Sequence, residues 1–335
     1  MDGQGKYINP FTDVGFKKLF GTEFNKALLI DFLNQVLGDR QQIRDLTYLN
    51  TEHQGNTEAD RKAIFDLYCE NERGEKFIIE LQNVRQQFFK DRSIFYATFP
   101  IQAQSIKGQD WDYCLTSVYT IGILGFTFPD PNGQERYLRE IRLLDTQTLE
   151  VFYEKLTFIY LEMPRFKKRK EELITHFDKW LYVLKNLSRL QKRPQWLKEA
   201  VFVQLFNEAE LAKLNPEEMR TYQESLKVYR DNKNTMDYAI KTAVEEATQQ
   251  ARLEARQEGL LEGRQEGRQE GRQEGHQEGK QEGRQEGRQE GRQEGRQEGR
   301  QEERMGLARE MKKEGDSIEK IARITRLSKE EIEKL

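Results

Sequence analysis

The first 165 residues combine two periodicities of apolar positions. Apolar residues recur every three to four positions over 13–20 and 25–37, and a glycine follows each stretch, at Gly21 and Gly38; two short helices are therefore predicted. The other elements predicted here are a helix over 88–107 and strands over 43–50, 62–70, 76–82, 114–128 and 136–143. This part of the chain, 1–165, is predicted to form a mixed α/β domain.

The later part of the chain is predicted to be helical on both sides of a repeat. Residues 166–256 have helical periodicity broken by prolines, which predicts a helical extension of the α/β domain. Residues 303–335 contain a capping-box pattern at Asp316-x-x-Glu319 and a second one beginning at Ser328, and predict three short helices. This unit is compatible with a DNA-reading helix-turn-helix, although short capped helices are common. Its predicted core is formed by Ile318, Ile321, Ala322, Ile324, Leu327 and Ile332.

A low-complexity repeat of Gly-Arg-Gln-Glu occupies residues 257–302, and residues 263–302 contain no apolar residue. In a helix, a period of four advances about 40° per repeat relative to 3.6 residues per turn, so no residue type keeps a fixed face. Each glycine also costs about 1 kcal/mol relative to alanine. We therefore predict a solvated spacer that is helical only in part. An RNA-binding arginine tract is the alternative, which the accompanying glutamates disfavour.

Composition excludes several classes of function. The 335 residues include 55 Lys+Arg and 58 Asp+Glu, a net charge of −3, so charge alone does not indicate nucleic-acid binding. Only two cysteines, Cys69 and Cys114, and a start without a secretory signal predict a reducing, cytoplasmic setting. The longest apolar run, 117–128, is too short to span a membrane, so no membrane role is expected. Three scattered histidines offer little material for a zinc site.

Two carboxylates are predicted to face each other across a hairpin. A three-residue turn between the strands at 62–70 and 76–82 would place Asp66 directly opposite Glu80. Their Cβ atoms would be about 5 Å apart, where like charges repel unless a cation lies between them. Two carboxylates, the Leu81 carbonyl and water would suit Mg²⁺, which prefers oxygen ligands.

A solvent-facing acid pair is the plainer interpretation of the same hairpin. Both acids are embedded in apolar sequence, so an exposed face would also expose Ile64, Tyr68 and Ile78. The residues alone favour a metal site, and the interpretation as a solvent-exposed acid pair stays open.

Several short motifs are distributed over most of the chain. They are Asn9-Pro10-Phe11-Thr12-Asp13, Phe16-Lys17-Lys18-Leu19-Phe20-Gly21, Asp60-Arg61-Lys62, Phe77-Ile78-Ile79-Glu80-Leu81-Gln82-Asn83, Asp91-Arg92-Ser93 with Tyr96, and Leu161-Glu162-Met163-Pro164-Arg165-Phe166. As a set, with the Trp180 helix and the Gly-x-x-Glu array, they resemble the Rpn family of recombination-promoting nucleases and transposases, within the PD-(D/E)XK superfamily. The resemblance implies an α/β, restriction-endonuclease-like core.

The resemblance also implies roles for the two hairpin acids. Asp66 and Glu80 would be the metal-binding acids of the superfamily's Asp…Glu-x-Lys signature, with Mg²⁺ or another divalent cation such as Mn²⁺ or Ca²⁺ as cofactor and DNA as substrate. Gln82 occupies the lysine position, where a neutral amide can only form hydrogen bonds.

A nearby basic residue is expected to supply the charge that Gln82 lacks. The candidates are Lys62, Lys90, Arg92 and Lys107. We prefer Arg92, because four-residue spacing would place it on one helix face with Tyr96. Asp13 is a candidate third acid or simply an acid at a helix N-terminus.

The function predicted from these observations is a cytoplasmic, metal-dependent DNA endonuclease that promotes recombination or transposition. Because Gln82 replaces lysine, a catalytically weak or inactive DNA-binding or assembly protein with the same fold is one alternative. The other is a structural protein whose helical region and array self-associate into a homo-oligomer.

Overall fold

The structure, a computed structural model, describes residues 5–40, 42–53, 63–105, 112–130, 133 and 136–335. The Asp60-Arg61-Lys62 motif and Lys107 lie outside the described residues. Contacts group the chain into two compact units, Met1–Thr242 and Ala243–Leu335. The finer division into four segments predicted from the sequence stays a prediction.

Helices and strands alternate through the first unit, and helices make up the second. In the described residues the helices are α1 (Asp13–Phe20), α2 (Lys26–Leu37), α3 (Phe89–Gln102), α4 (His176–Asn186), α5 (Ala200–Glu208), α6 (Pro216–Lys313), α7 (Ile318–Thr325) and α8 (Lys329–Glu333). The strands are β1 (Leu46–Tyr48), β2 (Glu52–His53), β3 (Ala63–Ile64), β4 (Leu67–Asn71), β5 (Lys76–Gln82), β6 (Val118–Leu124), β7 (Leu138–Leu144) and β8 (Val151–Glu162). None of the described helices is both long and apolar enough to cross a membrane.

The helices α1 and α2 confirm the periodicity found in the sequence. Thr12 caps α1 by accepting the backbone N–H of Gly15 at 3.0 Å, and the helix ends at Gly21. Phe16, Leu19 and Phe20 all point into the core, as their three- and four-residue spacing predicts.

Six strands form one mixed sheet in the order β1-β4-β5-β6-β8-β7. The pairs β5/β6 and β6/β8 are parallel, whereas β1/β4, β4/β5 and β7/β8 are antiparallel. Every residue of β6, in the middle of the parallel part, is buried, which is typical of strands covered on both faces.

Helices cover the two faces of this sheet. On one face Trp180 of α4 contacts the rings of Phe32 of α2 and Phe202 of α5, with centroids 5.5 and 5.2 Å apart. The Trp180 indole N–H donates to Asp31 Oδ1 at 2.5 Å. On the other face Phe89 of α3 packs against a separate cluster of aromatic side chains. The helices α4 and α5, after residue 165, therefore belong to the same core as the sheet.

The strand predicted over 62–70 is interrupted at Phe65 and Asp66. The chain bends there because the Phe65 N–H donates to the Thr51 carbonyl at 3.0 Å, and β3 pairs with β2 instead of continuing into β4. Ile64 is 57% exposed as a result, so its predicted place on one buried face with Asp66 and Tyr68 is wrong. Tyr68 is buried, as expected.

Strand β8 was missed by the sequence analysis, and it lies between β6 and β7. Its first half is mostly exposed, and its second half is buried on both faces up to Glu162. A change of environment within one strand gives neither strict alternation nor a continuous apolar run, so the period-two signal is weak.

The repeat lies wholly within α6, and its side chains are exposed. The structure therefore differs from the predicted spacer that is helical only in part. Three of every four residues in the repeat are strong helix formers, and this preference offsets part of the cost of glycine. Around the repeat glycines, 263–299, nothing beyond the chain neighbours and the backbone of the same helix turn lies within 4 Å of where a Cβ would be.

The C-terminal unit confirms one capping box and corrects the other. The Ser328 hydroxyl accepts the N–H of Glu331 at 3.2 Å, and the Glu331 carboxylate accepts the N–H of Ser328 at 2.8 Å. At α7, Ser317 occupies the cap position, so the box predicted at Asp316 is wrong. Ile324 is 49% exposed and does not belong to the predicted core. The buried apolar residues here are Ala308, Met311, Ile321, Leu327 and Ile332.

Candidate active site

The β4/β5 hairpin has the register that the sequence predicts. Leu67 pairs with Ile79 and Tyr68 with Ile78, which places Asp66, one residue before β4, beside Glu80. The turn closes with the Asn71 N–H donating to the Glu75 carbonyl at 3.1 Å. The predicted juxtaposition of the two acids is therefore present in the structure.

The backbone holds one oxygen of each acid. Asp66 Oδ2 accepts the N–H of Leu81 at 2.7 Å, and Glu80 Oε1 accepts the N–H of Asp66 at 3.3 Å. The other two oxygens, Asp66 Oδ1 and Glu80 Oε2, accept no hydrogen bond from the residues that the structure describes. Each carboxylate is thus fixed in place by one oxygen and has a second oxygen available for a ligand.

The local field disfavours two negative charges here. Burial is the largest cause that raises the pKa of Glu80, the charge of Asp66 adds to it, and together they raise the pKa to about 8. Burial likewise raises the pKa of Asp66, against the Leu81 N–H that lowers it. Without a cation, the pair therefore binds a proton more strongly than ordinary carboxyls do.

The donor set fits a divalent cation. Two available carboxylate oxygens in a partly buried pocket suit Mg²⁺, which takes oxygen ligands and retains water. Within the described ranges, no three His, Cys, Asp or Glu side chains lie close enough to hold a metal. Water or a backbone carbonyl would have to complete the shell, and the role of Leu81 as a carbonyl ligand stays a prediction.

Asp13 and Lys17 lie at the edge of this site. The charge of Asp13 raises the pKa of Asp66, and the charge of Lys17 lowers the pKa of both Asp66 and Glu80. Lys17 Nζ is 2.8 Å from Asp13 Oδ1, so Asp13 has a cationic partner and its role as a third acid stays a prediction. The sequence analysis missed Lys17, although its four-residue spacing from Asp13 was the available signal.

Gln82 holds Arg92 beside the acids. Arg92 Nη2 donates to Gln82 Oε1, and Gln82 Nε2 donates to the Val84 carbonyl at 2.7 Å. A second guanidinium nitrogen, Arg92 Nη1, donates to Gln86 Oε1 at 2.5 Å. Both polar atoms of Gln82 have partners within the protein. The amide therefore positions the Arg92 guanidinium and does not itself take the place of a charged side chain.

Tyr96 lies one turn after Arg92 on the same side of α3, as predicted, and both side chains are half-buried. The Arg92 guanidinium carbon lies 5.6 Å from the centroid of the Tyr96 ring, which packs edge-on against Phe65 at 5.3 Å. Burial, followed by the charge of Glu80, raises the pKa of Tyr96. Its hydroxyl therefore remains protonated at neutral pH and is available as a donor.

Of the other basic candidates, Lys90 is described, and it packs against a different side chain. Lys90 Nζ lies 5.4 Å from the centroid of the Phe128 ring. Lys62 and Lys107 fall outside the described residues. Among the candidates that the structure describes, Arg92 is accordingly the one that contacts Gln82.

A narrow cleft lies beneath Glu80, Arg92 and Tyr96. It has a volume of about 10 Å³, the room needed for roughly one water molecule, and it reaches Thr120 on β6. The Thr120 hydroxyl is buried and has no hydrogen-bond partner among the described residues. Neighbouring Gly122 is required by close packing, since a Cβ there would lie 2.9 Å from Tyr160 Cδ1. No sequence signal connected these β6 residues with the site.

A hairpin acid pair in a mixed sheet flanked by helices, with a basic residue from the next helix, is consistent with a PD-(D/E)XK-type nuclease fold. The family model described as PD-(D/E)XK nuclease family transposase matches residues 10–239, and the chain belongs to this family. The resemblance inferred from the motifs is confirmed. No curated protein and no solved structure gives a significant match.

Proposed function

We propose that this protein is a metal-dependent DNA endonuclease that hydrolyses phosphodiester bonds and promotes recombination or transposition. The observation that supports it most is the acid pair, in which each carboxylate is anchored by the backbone through one oxygen and leaves its second oxygen available. Membership of a nuclease and transposase family makes DNA the natural substrate.

Asp66 and Glu80 would hold the cation, with Mg²⁺ as the first choice and Mn²⁺ or Ca²⁺ as substitutes. A bound divalent cation supplies Lewis acidity to a phosphate oxygen and lowers the pKa of water. The backbone N–H groups of Leu81 and Asp66 keep the two carboxylates in one orientation.

Arg92 is the candidate phosphate-binding residue, because its planar guanidinium can donate two parallel hydrogen bonds to phosphate oxygens. Gln82 acts as a positioning residue, since it accepts from Arg92 and is itself fixed to Val84. The protonated Tyr96 hydroxyl provides one further donor near the acids.

The test is nicking of supercoiled plasmid by the full-length protein with Mg²⁺ or Mn²⁺. Asp66→Asn and Glu80→Gln should each reduce nicking at least 100-fold, because one ligand of the cation loses its charge. Glu70→Gln is the matched control on the same hairpin, since Glu70 pairs with Lys76 and not with the acid pair. Equal activity of all three variants would reject the nuclease.

Plasmid binding without nicking by the wild-type protein would instead support the alternative of an inactive DNA-binding or assembly protein. A cytoplasmic location and self-association stay predictions.

A further inference from the structure

Aromatic side chains are exposed along α3, directly beside the candidate active site. Phe88, at the start of the helix, is 66% exposed, and Phe95 is 45% exposed. Burying such rings would be favourable, so large aromatic exposure next to a site indicates a binding surface. We define the α3 ridge as Phe88, Arg92 and Phe95.

Phe88 is the N-cap residue of α3, and Arg92 and Phe95 lie within the helix, so the ridge follows one side of α3 from its N-terminus. Their spacing of four and then three residues places them one above the other, with Phe88 and Phe95 about 10 Å apart along the axis at 1.5 Å per residue. The Arg92 N–H donates to the Phe88 carbonyl at 3.0 Å, which fixes the first ridge residue to the helix. Arg92 thus lies between two exposed rings.

The ridge is continuous with the acid pair. The Phe95 ring lies 6.4 Å from the Tyr96 ring, and Tyr96 lines the same narrow cleft as Glu80 and Arg92. Arg92 extends from the ridge to Gln82, two residues after Glu80. A polymer lying along the ridge would therefore pass the two acids.

The charges near the ridge favour a polyanion. Arg85 in the preceding loop is exposed, and Lys90 and Arg92 follow on the helix, against one acid, Asp91. Aromatic rings alternating with cations are the pattern of single-strand binding surfaces, where bases stack on rings and cations contact phosphates. In a duplex the bases are already stacked on each other, so exposed rings can gain little.

We infer that the α3 ridge binds unpaired nucleotides, so that single-stranded or locally unpaired DNA is the substrate class of this site. The inference rests on the proposed nuclease function for its setting. The acids would then act on a strand whose bases stack on Phe88 and Phe95 and whose phosphates lie along Arg92.

The test is the affinity of the full-length protein for a labelled single strand of about 20 nucleotides and for the matching duplex, by fluorescence anisotropy in EDTA. Phe88→Ala and Phe95→Ala should each weaken single-strand binding about tenfold, as expected for loss of one stacked base. Duplex binding should change less than twofold. Phe88→Trp should keep single-strand binding near the wild-type affinity, because an indole ring also stacks with a base.

Two further variants separate stacking from charge and from general surface change. Ile94→Ala is the matched control, since Ile94 is 58% exposed on the same helix but lies on another face. Arg85→Ala should reduce the slope of log K against log salt, whereas Phe88→Ala should leave that slope unchanged.

Several outcomes would overturn the inference. These are equal losses for single strand and duplex, no loss in either phenylalanine variant, or no single-strand binding by the wild-type protein. Unchanged DNA affinity with an altered oligomeric state would assign the ridge to protein contact instead. Because EDTA prevents metal-dependent cleavage, the affinity measurement is independent of the plasmid assay. Failure of the nuclease proposal would appear in the plasmid assay, whereas failure of the ridge inference would appear in the affinities.

Discussion

Replacing Glu80 by glutamine should stabilise the metal-free protein and destroy its response to metal. Burial and the neighbouring charge of Asp66 raise the pKa of Glu80 from 4.5 to about 8. A carboxyl whose pKa is raised on folding contributes stability below pH 4.5 and loses it as the pH rises through about 8. Glutamine does not ionise, so the difference in stability between variant and wild type should grow between these two pH values.

The magnitude follows from the same shift. At pH 7 the penalty in wild-type protein is at most about 3.4 kcal/mol, from about 1.36 kcal/mol per pKa unit over the roughly 2.5 units above 4.5. Glu80 is partly exposed to water, which screens the charge, so we expect about 1–2 kcal/mol. In a domain of this size that corresponds to a rise in Tm of about 2–8 °C. The amide oxygen can still accept the N–H of Asp66, so no hydrogen bond need be lost.

The assay is thermal unfolding in EDTA from pH 4.5 to 8.5, repeated with Mg²⁺. Mg²⁺ should raise the Tm of wild-type protein and leave that of Glu80→Gln nearly unchanged, since binding to the folded state alone stabilises it. Glu70→Gln is the control on the same hairpin; it loses an ion pair with Lys76 and should be slightly less stable at neutral pH. If Glu80→Gln were destabilised at pH 8, or if its difference from wild type did not depend on pH, the argument for a repelling buried pair would be wrong.

Three further predictions test other parts of the molecule. Gln82→Lys should reduce plasmid nicking about tenfold or more, because it removes the acceptor of Arg92 and adds a like charge; full activity would show that position 82 faces the phosphate directly. Glu162→Gln should lower the free energy of unfolding by about 3–5 kcal/mol in urea titrations. The reason is that this fully buried carboxylate pairs with Arg165 at 2.8 Å, and its loss leaves the guanidinium without its anionic partner. A loss below about 1 kcal/mol would contradict this. Deleting 263–302 should change the Tm of the remaining protein by less than about 2 °C, because these exposed residues bury no apolar surface, and a larger fall would show that the array contributes to the fold.

The elements that the sequence predicts best depend on neighbours only a few residues away. Thr12 and Gly21 mark the two ends of α1, and the Asn71–Glu75 turn fixes the register of the hairpin. The opposition of Asp66 and Glu80 follows from that turn, since every pair in the hairpin is counted from it. For this reason the acid pair that is proposed to hold the cation could be located without coordinates.

Features set by distant contacts could not be predicted in the same way. The bend at Asp66 depends on a hydrogen bond from Phe65 to Thr51, 14 residues earlier, and no local sequence pattern predicts this bond. Strand β8 ends in the buried Glu162, whose charge is accommodated only because Arg139 and Arg165 converge on it. A carboxylate at the end of an apolar run argues against a buried strand until its partners are known.

The replacement of lysine by Gln82 shows how such distant contacts change the chemistry of a motif. From the hairpin alone, a neutral amide in this position leaves the site without a positively charged side chain. In the fold, the amide accepts from Arg92, ten residues later on the next helix, so the positive charge is moved from the strand to α3. Arginine in this position presents a planar pair of donors, which a lysine on the strand would not. The same helix then exposes Phe88 and Phe95 beside that cation, so transfer of the charge to α3 would link phosphate binding to the surface inferred to bind unpaired bases.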